Sequence, residues 1–330
     1  MYFIVMKDYV IRKIKGKKGK EYIHDYTDKR GKVLSKKEYG DLLKDLYIAP
    51  AYDNVKINKN KNDKVLAIGT DDKGRKQYTY NPDYIQKATD NKYKKLIEFG
   101  NNYKCIMRRV TKDMNTFHDS KVKQVAMILK IIDNCNFRVG NEKYMKENNS
   151  HGVCTLLNEH IKVTKDGITL DFIGKEGVRN KCSVHNAKLA RNLRTKKKTL
   201  HKKDRIFSYR TNNRYHNVSA SDVNNYLKQF GDFSAKNFRT WSANTDLVKE
   251  LKKSTTNLKK TSLKKHLNES VKKVAEKMHH TPSICKKNYI NKELMDLYVD
   301  NNDKFRYYFR STDKEGISED LIKFMKSVYR

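Results

Sequence analysis

The stretch KVLAIGTDDKGRKQYTYNPDYIQKATDNKYKKLIEFG, residues 64–100, holds the change of period on which the fold turns. Its first half alternates. KVLAIG, the turn TDDKGR and then KQYTY predict a β-hairpin. Pro82 ends that pattern, and apolar residues then recur at helical spacing from about 84 to 110, with an interruption expected at Gly100-Asn101-Asn102. Strand patterns dominate before the switch and helical patterns after it. The chain is therefore predicted to be α+β, with a small β-rich N-terminal domain, 1–82, and a larger, mostly α-helical domain, 83–330.

Working outward toward the N-terminus, YFIVM, YVIRKI, EYIHDYT, DKRG and KVLS read as a succession of strands and turns. SKKEYGDLLKDLYI interrupts them as a helix, with Leu42, Leu43 and Leu46 at helical spacing. Toward the C-terminus, Ser120 opens a helix whose Val122, Val125, Ala126, Leu129 and Ile132 form a core-facing stripe. Residues 153–185 turn to strands: VCTLL, HIKV, ITLDFIG and VRNKCSV, with Asp166-Gly167 marking one hairpin. A basic, polar stretch covers 186–217. A helix with Ser221 as N-cap and Gly231 as its stop follows, then helices near 235–253, 265–279, 283–299 and 318–329.

The 330 residues carry 73 Lys+Arg against 38 Asp+Glu, a formal net charge of +35 at pH 7. AT-rich coding sequence inflates Lys and Asn, which accounts for part of this surplus. The remainder favours a polyanionic partner. A membrane is not expected, because no run of about 18 apolar residues is present. The N-terminal MYFIVMKDYV lacks a basic segment ahead of its apolar run and reads as a strand rather than a signal peptide. With 21 Tyr and 12 Phe the chain has enough apolar bulk to build cores, so a disordered polycation is not expected either. Cys105, Cys135, Cys154, Cys182 and Cys285 are odd in number and include no C-x-x-C pair, so no disulfide framework and an intracellular location are expected. His151, Cys154 and His160 lack a fourth ligand at a usual spacing, and no metal site is predicted.

Four stretches place a cation or nucleophile at the end of a segment: Phe137-Arg138-Val139-Gly140, Phe172-Ile173-Gly174-Lys175, Lys236-Asn237-Phe238-Arg239-Thr240, and His280-Thr281-Pro282-Ser283 followed by Tyr289. Segment ends are where reactive groups project from a scaffold. Each has an ordinary explanation when taken alone: Arg138 near a helix C-terminus complements the dipole, and a lysine at a hairpin tip is solvated. Their order, Arg, Lys, Arg, His, Tyr, is what carries meaning.

With GTDDKGRKQYTY (69–80), FRVGNEKYMKEN (137–148), FIGKEG (172–177), KNFRTWSAN (236–244) and HTPSICKKNY (280–289), the chain resembles the type IB DNA topoisomerases, the compact poxvirus enzymes above all. The similarity runs from about residue 65 to about 295. The resemblance implies a C-shaped clamp around duplex DNA with a catalytic domain of the tyrosine recombinase/type IB topoisomerase type. It implies Tyr289 as the nucleophile of a 3′-phosphotyrosyl link, and Arg138, Arg239 and His280 on the non-bridging oxygens. Lys175 would be the general acid to the leaving 5′-hydroxyl. The link would conserve the phosphodiester energy, so that supercoils relax by strand rotation and the strand reseals without ATP, metal or any cofactor.

The residue types suit that chemistry. A tyrosine, with its ordinary pKa near ~10, must lose a proton, while the phosphorus centre gains negative charge and an alkoxide leaves. Fixed cations aimed at the developing charge can supply what metals supply elsewhere. The resemblance further implies DNA contacts from Arg75, Gln77, Tyr78, Tyr80, Asn141, Tyr144, Lys236 and Asn244. Gln pairs bidentately with adenine, and tyrosines pack on thymine methyls or phosphates. Asn141 stands where the poxvirus pattern has lysine, so the family's CCCTT-type preference need not hold at one base. Two alternatives stand beside this reading. A tyrosine recombinase or integrase usually carries H-x-x-R where this chain has Lys236-x-x-Arg239. A non-enzymatic, basic DNA-binding protein would share the composition. Double-stranded DNA is the expected partner, a monomer the expected state, and host-cell cytoplasm and virion the expected locations for a viral source.

Overall fold

The computed structural model describes residues 6–212, 214–253 and 259–329. The strand expected at YFIVM lies, apart from Met6, outside the described residues. The chain divides into two compact units, Met1–Lys92 and Tyr93–Arg330.

In the first unit, β1 (Tyr9–Lys18), β2 (Glu21–Thr27), α1 (Lys36–Leu43), β3 (Asp53–Asn58), β4 (Val65–Thr70) and β5 (Lys76–Tyr80) follow one another. The strands form one antiparallel sheet in the order β2-β1-β3-β4-β5, leaving β5 at an edge. Alternation along β1 and β4 buries Val10, Val65 and Ala67, and Val55 and Ile57 of β3 join them. Ser35 and Glu38 close a capping box at the start of α1. Arg12 is buried, and its guanidinium donates to the carbonyls of Ala49 (2.8 Å) and Tyr52 (3.0 Å), tying the segment after α1 to the sheet. Strand β3 is absent from the sequence expectation, because DNVKIN mixes polar and apolar residues without a clear period.

α2 (Pro82–Met114) opens on its proline and runs on into the second unit. It is unbroken, contrary to the interruption expected at Gly100-Asn101-Asn102. Gly100 is a seat rather than a break: a Cβ there would lie 2.5 Å from the indole of Trp241. Then come α3 (Lys121–Cys135), α4 (Glu142–Asn148), β6 (Ile161–Val163), β7 (Gly167–Ile173), β8 (Arg179–His185) and α5 (Ala187–Lys198). They are followed by β9 (Ser208–Thr211), β10 (Arg214–Asn217), α6 (Ala220–Leu227), α7 (Ala235–Leu251) and α8 (Lys260–Lys277). α9 (Pro282–Asn288), α10 (Lys292–Asp300), α11 (Asn302–Tyr308) and α12 (Lys314–Val328) complete the chain. α7 lies at the centre, touching α3, α6, α8 and α12, with Phe99 edge-on to Phe233, Phe238 and Trp241. β6-β7-β8 form a small antiparallel sheet, covered by α5 on β6 and β7 and by α3 on β8.

Several local expectations are corrected. VCTLL is a 3-10 turn, Val153–Thr155, with Val153, Cys154 and Leu156 buried, rather than a strand. The basic stretch 186–217 folds into α5, which buries Leu189, Ala190 and Leu193 beneath its lysines, and the hairpin β9–β10. Ser219, not Ser221, caps α6, accepting from the Asp222 N–H while the Asp222 carboxylate accepts from Ser219 N (2.9 Å). The helix expected over 283–299 is broken at Tyr289. The expectation of no disulfide fails as well: Cys135 and Cys182, separated by 47 positions, are bonded. No rule of spacing exposes this pair; packing α3 on β8 brings the two together.

Candidate active site

Three chain ends converge in the second unit. α3 stops where Asn136 enters the left-handed region (φ 56°), which turns the chain so that Phe137 is buried and Arg138 is only partly covered. Past Arg138 the backbones of Gly140 and Gly152 nearly touch. A Cβ on Gly152 would lie 2.4 Å from Gly140 Cα, so neither position tolerates a side chain. This pinch closes the loop that carries α4. At the end of α8, His279 takes φ 55°, and the N–H groups of His279 and His280 return to the carbonyls of Glu276 and Ala275. That is a Schellman ending with histidine where glycine is usual, and it turns His280 away from the helix. Thr281 and Pro282 then start α9, which runs to Tyr289. Arg239 comes from the first turns of α7.

The result is a compact cationic cluster. Nη2 of Arg138 and Nη2 of Arg239 both donate toward Nε2 of His280, each at 3.0 Å. The Tyr289 ring lies 5.2 Å from the imidazole, and the Arg239 guanidinium stands 5.0 Å from the centre of that ring. Tyr289 is 7% exposed and Arg239 4%. Arg239 donates to the Met278 carbonyl (3.2 Å), but its Nε is buried with no hydrogen-bond partner among the described residues. A buried donor in a cationic pocket suits an anion's oxygen. Burial, and then the charges of Arg138 and Arg239, push the His280 imidazole down to about 4, so that it is neutral at pH 7. Burial lowers the Arg239 guanidinium to about 10, which leaves it cationic.

Lys175 stands apart. It follows Gly174 in the β7–β8 loop, its side chain is 62% exposed, and its Nζ lies 3.6 Å from the carboxylate of Glu176. Its charge is the weakest of those acting on His280. Asn244 is the reverse. It is fully buried, donates to the carbonyls of Tyr289 (2.9 Å) and Thr240 (2.7 Å), and accepts from Asn291 N (2.8 Å). It holds the chain at Tyr289 and has no surface to offer DNA.

The other residues expected at DNA are dispersed. Lys236 is exposed in the first turn of α7. Tyr144 on α4 is 60% exposed, and Asn141 is the N-cap of that helix, accepting from Lys143 N (2.8 Å). In the first unit, Tyr78 and Tyr80 share a face of edge strand β5, their rings 6.1 Å apart. Arg75 and Gln77 both donate to Asp71 Oδ2, at 2.8 and 2.9 Å. Those bonds hold the Asp71 carboxyl far below the usual range, Arg75 foremost. Asp71 is unmarked in the sequence reading, although an acid four residues ahead of an arginine across a tight turn signals such a pair. Asn291 and Tyr329 also escape it, as does Arg205, which donates to Glu142 of α4 (3.0 Å) and to the Cys154 carbonyl (3.1 Å). His151 donates its Nδ1 hydrogen to the Thr155 carbonyl (2.7 Å), and His160 Nδ1 accepts from Leu157 N (3.1 Å), so backbone groups account for both histidines.

Two guanidiniums and an imidazole thus surround a buried tyrosine on a helical scaffold. The family pattern of the eukaryotic DNA topoisomerase I catalytic core matches residues 81–315, and the chain belongs to the type IB DNA topoisomerases. It is 32% identical over 322 residues to the DNA topoisomerase 1B of Acanthamoeba polyphaga mimivirus, covering 94% of this chain and 93% of that one. Against the DNA topoisomerase 1B of Vaccinia virus (strain Copenhagen) it is 29% identical over 244 residues, 72% of this chain and 74% of the relative. With the DNA topoisomerase 1 of Schizosaccharomyces pombe it shares 30% over 176 residues, 52% of this chain and 20% of that protein. Among the described residues, no helix is long and apolar enough to cross a membrane.

Proposed function

We propose that this DNA topoisomerase nicks one strand of duplex DNA with Tyr289, relaxes supercoils by strand rotation and reseals the strand without ATP or metal. The Tyr289 phenol gives up its proton to water as its oxygen bonds to phosphorus, the bond to the 5′-oxygen breaks, and a 3′-phosphotyrosyl link holds the broken end. Arg138, Arg239 and His280 contact the non-bridging oxygens, and the orphaned Nε of Arg239 takes one of them. Lys175 protonates the leaving 5′-oxygen, with Arg138 assisting proton transfer. Attack by the same 5′-hydroxyl reverses each step.

The observation that carries this reading is the convergence of both guanidiniums on His280 Nε2 beside the Tyr289 ring. Phosphate oxygens would take over those N–H donors. The β-rich domain, 1–82, with Arg75, Gln77, Tyr78 and Tyr80, and the catalytic domain, 83–330, with Asn141, Tyr144 and Lys236, would close on duplex DNA as a C-shaped clamp. The enzyme would act as a monomer, in the host-cell cytoplasm and virion if the source is viral. Relaxation of a supercoiled plasmid in EDTA without ATP tests the reaction class. Tyr289→Phe should abolish both relaxation and covalent trapping while duplex binding stays within about twofold, since one hydroxyl is lost; adducts persisting in that variant would refute the nucleophile.

A further inference from the structure

The last helix of the chain ends against the segment that follows the nucleophile. Tyr329, just past α12, accepts a hydrogen bond from Asn291 Nδ2 at 2.8 Å. Asn291 is fully buried and caps α10 with its side-chain oxygen, which accepts from Leu294 N (2.8 Å). Its own N–H donates to Asn244 Oδ1, and the Asn244 amide donates to the Tyr289 carbonyl. A parallel connection comes from α2. Tyr93 donates its hydroxyl to the Ile290 carbonyl at 2.9 Å, and its ring stacks on Tyr329 with centroids 5.0 Å apart. Burial raises the Tyr93 phenol well above its ordinary value, so it remains a donor at working pH.

Residues 289, 290 and 291 are therefore each gripped at the backbone where α9 ends, beyond the last bonds from Tyr289 N and Ile290 N to the Cys285 carbonyl. Tyr289 has φ −122° and ψ −40°, outside helical geometry. From these contacts we infer that Tyr329 is a positioning residue for strand cleavage, acting through Asn291 and Asn244 on the backbone of Tyr289. The inference rests on Tyr289 being the nucleophile. It gives the C-terminal helix a task in the reaction itself. Around buried groups water cannot replace a lost partner, and a reacting atom displaced by about 1 Å can lose ~100-fold in rate.

Tyr329→Phe removes the hydroxyl and keeps the ring that stacks on Tyr93. Single-turnover cleavage of a duplex substrate should slow about tenfold with DNA affinity unchanged, while the buried Asn291 amide left without its partner lowers the thermal midpoint by a few degrees at most. A 5′-bridging sulfur, which leaves without a proton, should not restore the rate, because the fault lies with the attacking atom. In combination with Asn244→Ala the loss should be no greater than for Asn244→Ala alone, since both act along one chain of bonds. Cleavage at the full rate by Tyr329→Phe, in an enzyme whose adduct maps to Tyr289, would overturn this inference and leave the nucleophile standing. A loss matched by equally weaker DNA binding, or one that the sulfur substrate restores, would also overturn it, in favour of a purely structural role. An adduct formed by Tyr289→Phe would instead remove the reading on which the inference rests.

Discussion

The arginine–histidine–tyrosine cluster and the Lys175 loop are parts of one proposed reaction, yet they are built in opposite ways. Arg239 and Tyr289 are buried, and Arg138 and Arg239 both meet His280. Lys175 is mostly exposed, beside a carboxylate, in a short loop between strands. The contrast follows from what each must do. Groups that stabilise charge at phosphorus gain most from being fixed and dry before the charge appears. A proton donor must exchange protons with the medium between turnovers, and a solvated amine does so freely. On the proposed roles, a buried cationic cluster and an exposed lysine separate the two tasks in space.

The largest expected effects fall on the fixed side. Arg239→Ala and Arg138→Ala should each lower the single-turnover cleavage rate ~100- to 1,000-fold, as when one oxyanion donor is removed. Arg239→Ala should also lower the thermal midpoint more than Arg138→Ala, because Arg239 also holds the Met278 carbonyl from within the core. Equal midpoints would erase the distinction between a buried and a half-covered cation.

The disulfide joins the bases of the two regions. Cys135 lies three positions before Arg138, and Cys182 lies on the strand leaving the Lys175 loop. Closing a loop across 47 positions is worth up to about 4 kcal/mol through the unfolded chain. Denaturation with and without a dithiol should show a loss of that order, and Cys182→Ser should be indifferent to the reductant. If reduction leaves the wild-type midpoint unchanged, the tether contributes nothing to stability.

A smaller effect concerns pH. The folded His280 sits near 4 against an ordinary 6.5, so between those values the unfolded chain binds the proton and the folded one does not. Stability should therefore fall as pH drops from about 6.5 toward about 4, and His280→Gln should flatten part of that decline. Parallel melting curves for the two proteins across this window would show it; identical slopes would mean that neither burial nor the guanidiniums depress the imidazole.

Much of the site was legible because its residues stand at segment ends that sequence marks well. A helix stops ahead of His280 and Pro282, Asp166-Gly167 turns a hairpin, and Ser120 caps a helix, all as expected. What stayed hidden depends on contacts between distant segments. Gly100 reads as a breaker until Trp241 is found against it. The lysines of α5 conceal three apolar residues on its inner face. Asn244 is expected at DNA, but its partners lie 45 and 47 positions away at Tyr289 and Asn291. The break at Tyr289 has no breaker residue; the grip on residues 290 and 291 accompanies it.

The separation of tasks is tested most directly by single-turnover cleavage of two matched duplexes, one with an ordinary 5′-oxygen at the scissile phosphate and one with a bridging sulfur. A thiol, with pKa near ~8.5, leaves without protonation, whereas an alkoxide does not. Lys175→Ala should be crippled on the ordinary duplex and restored to near the wild-type rate on the sulfur duplex. Arg239→Ala and His280→Ala should stay slow on both. Rescue of all three variants, or of none, would contradict the division between a fixed charge-stabilising cluster and a separate exposed acid.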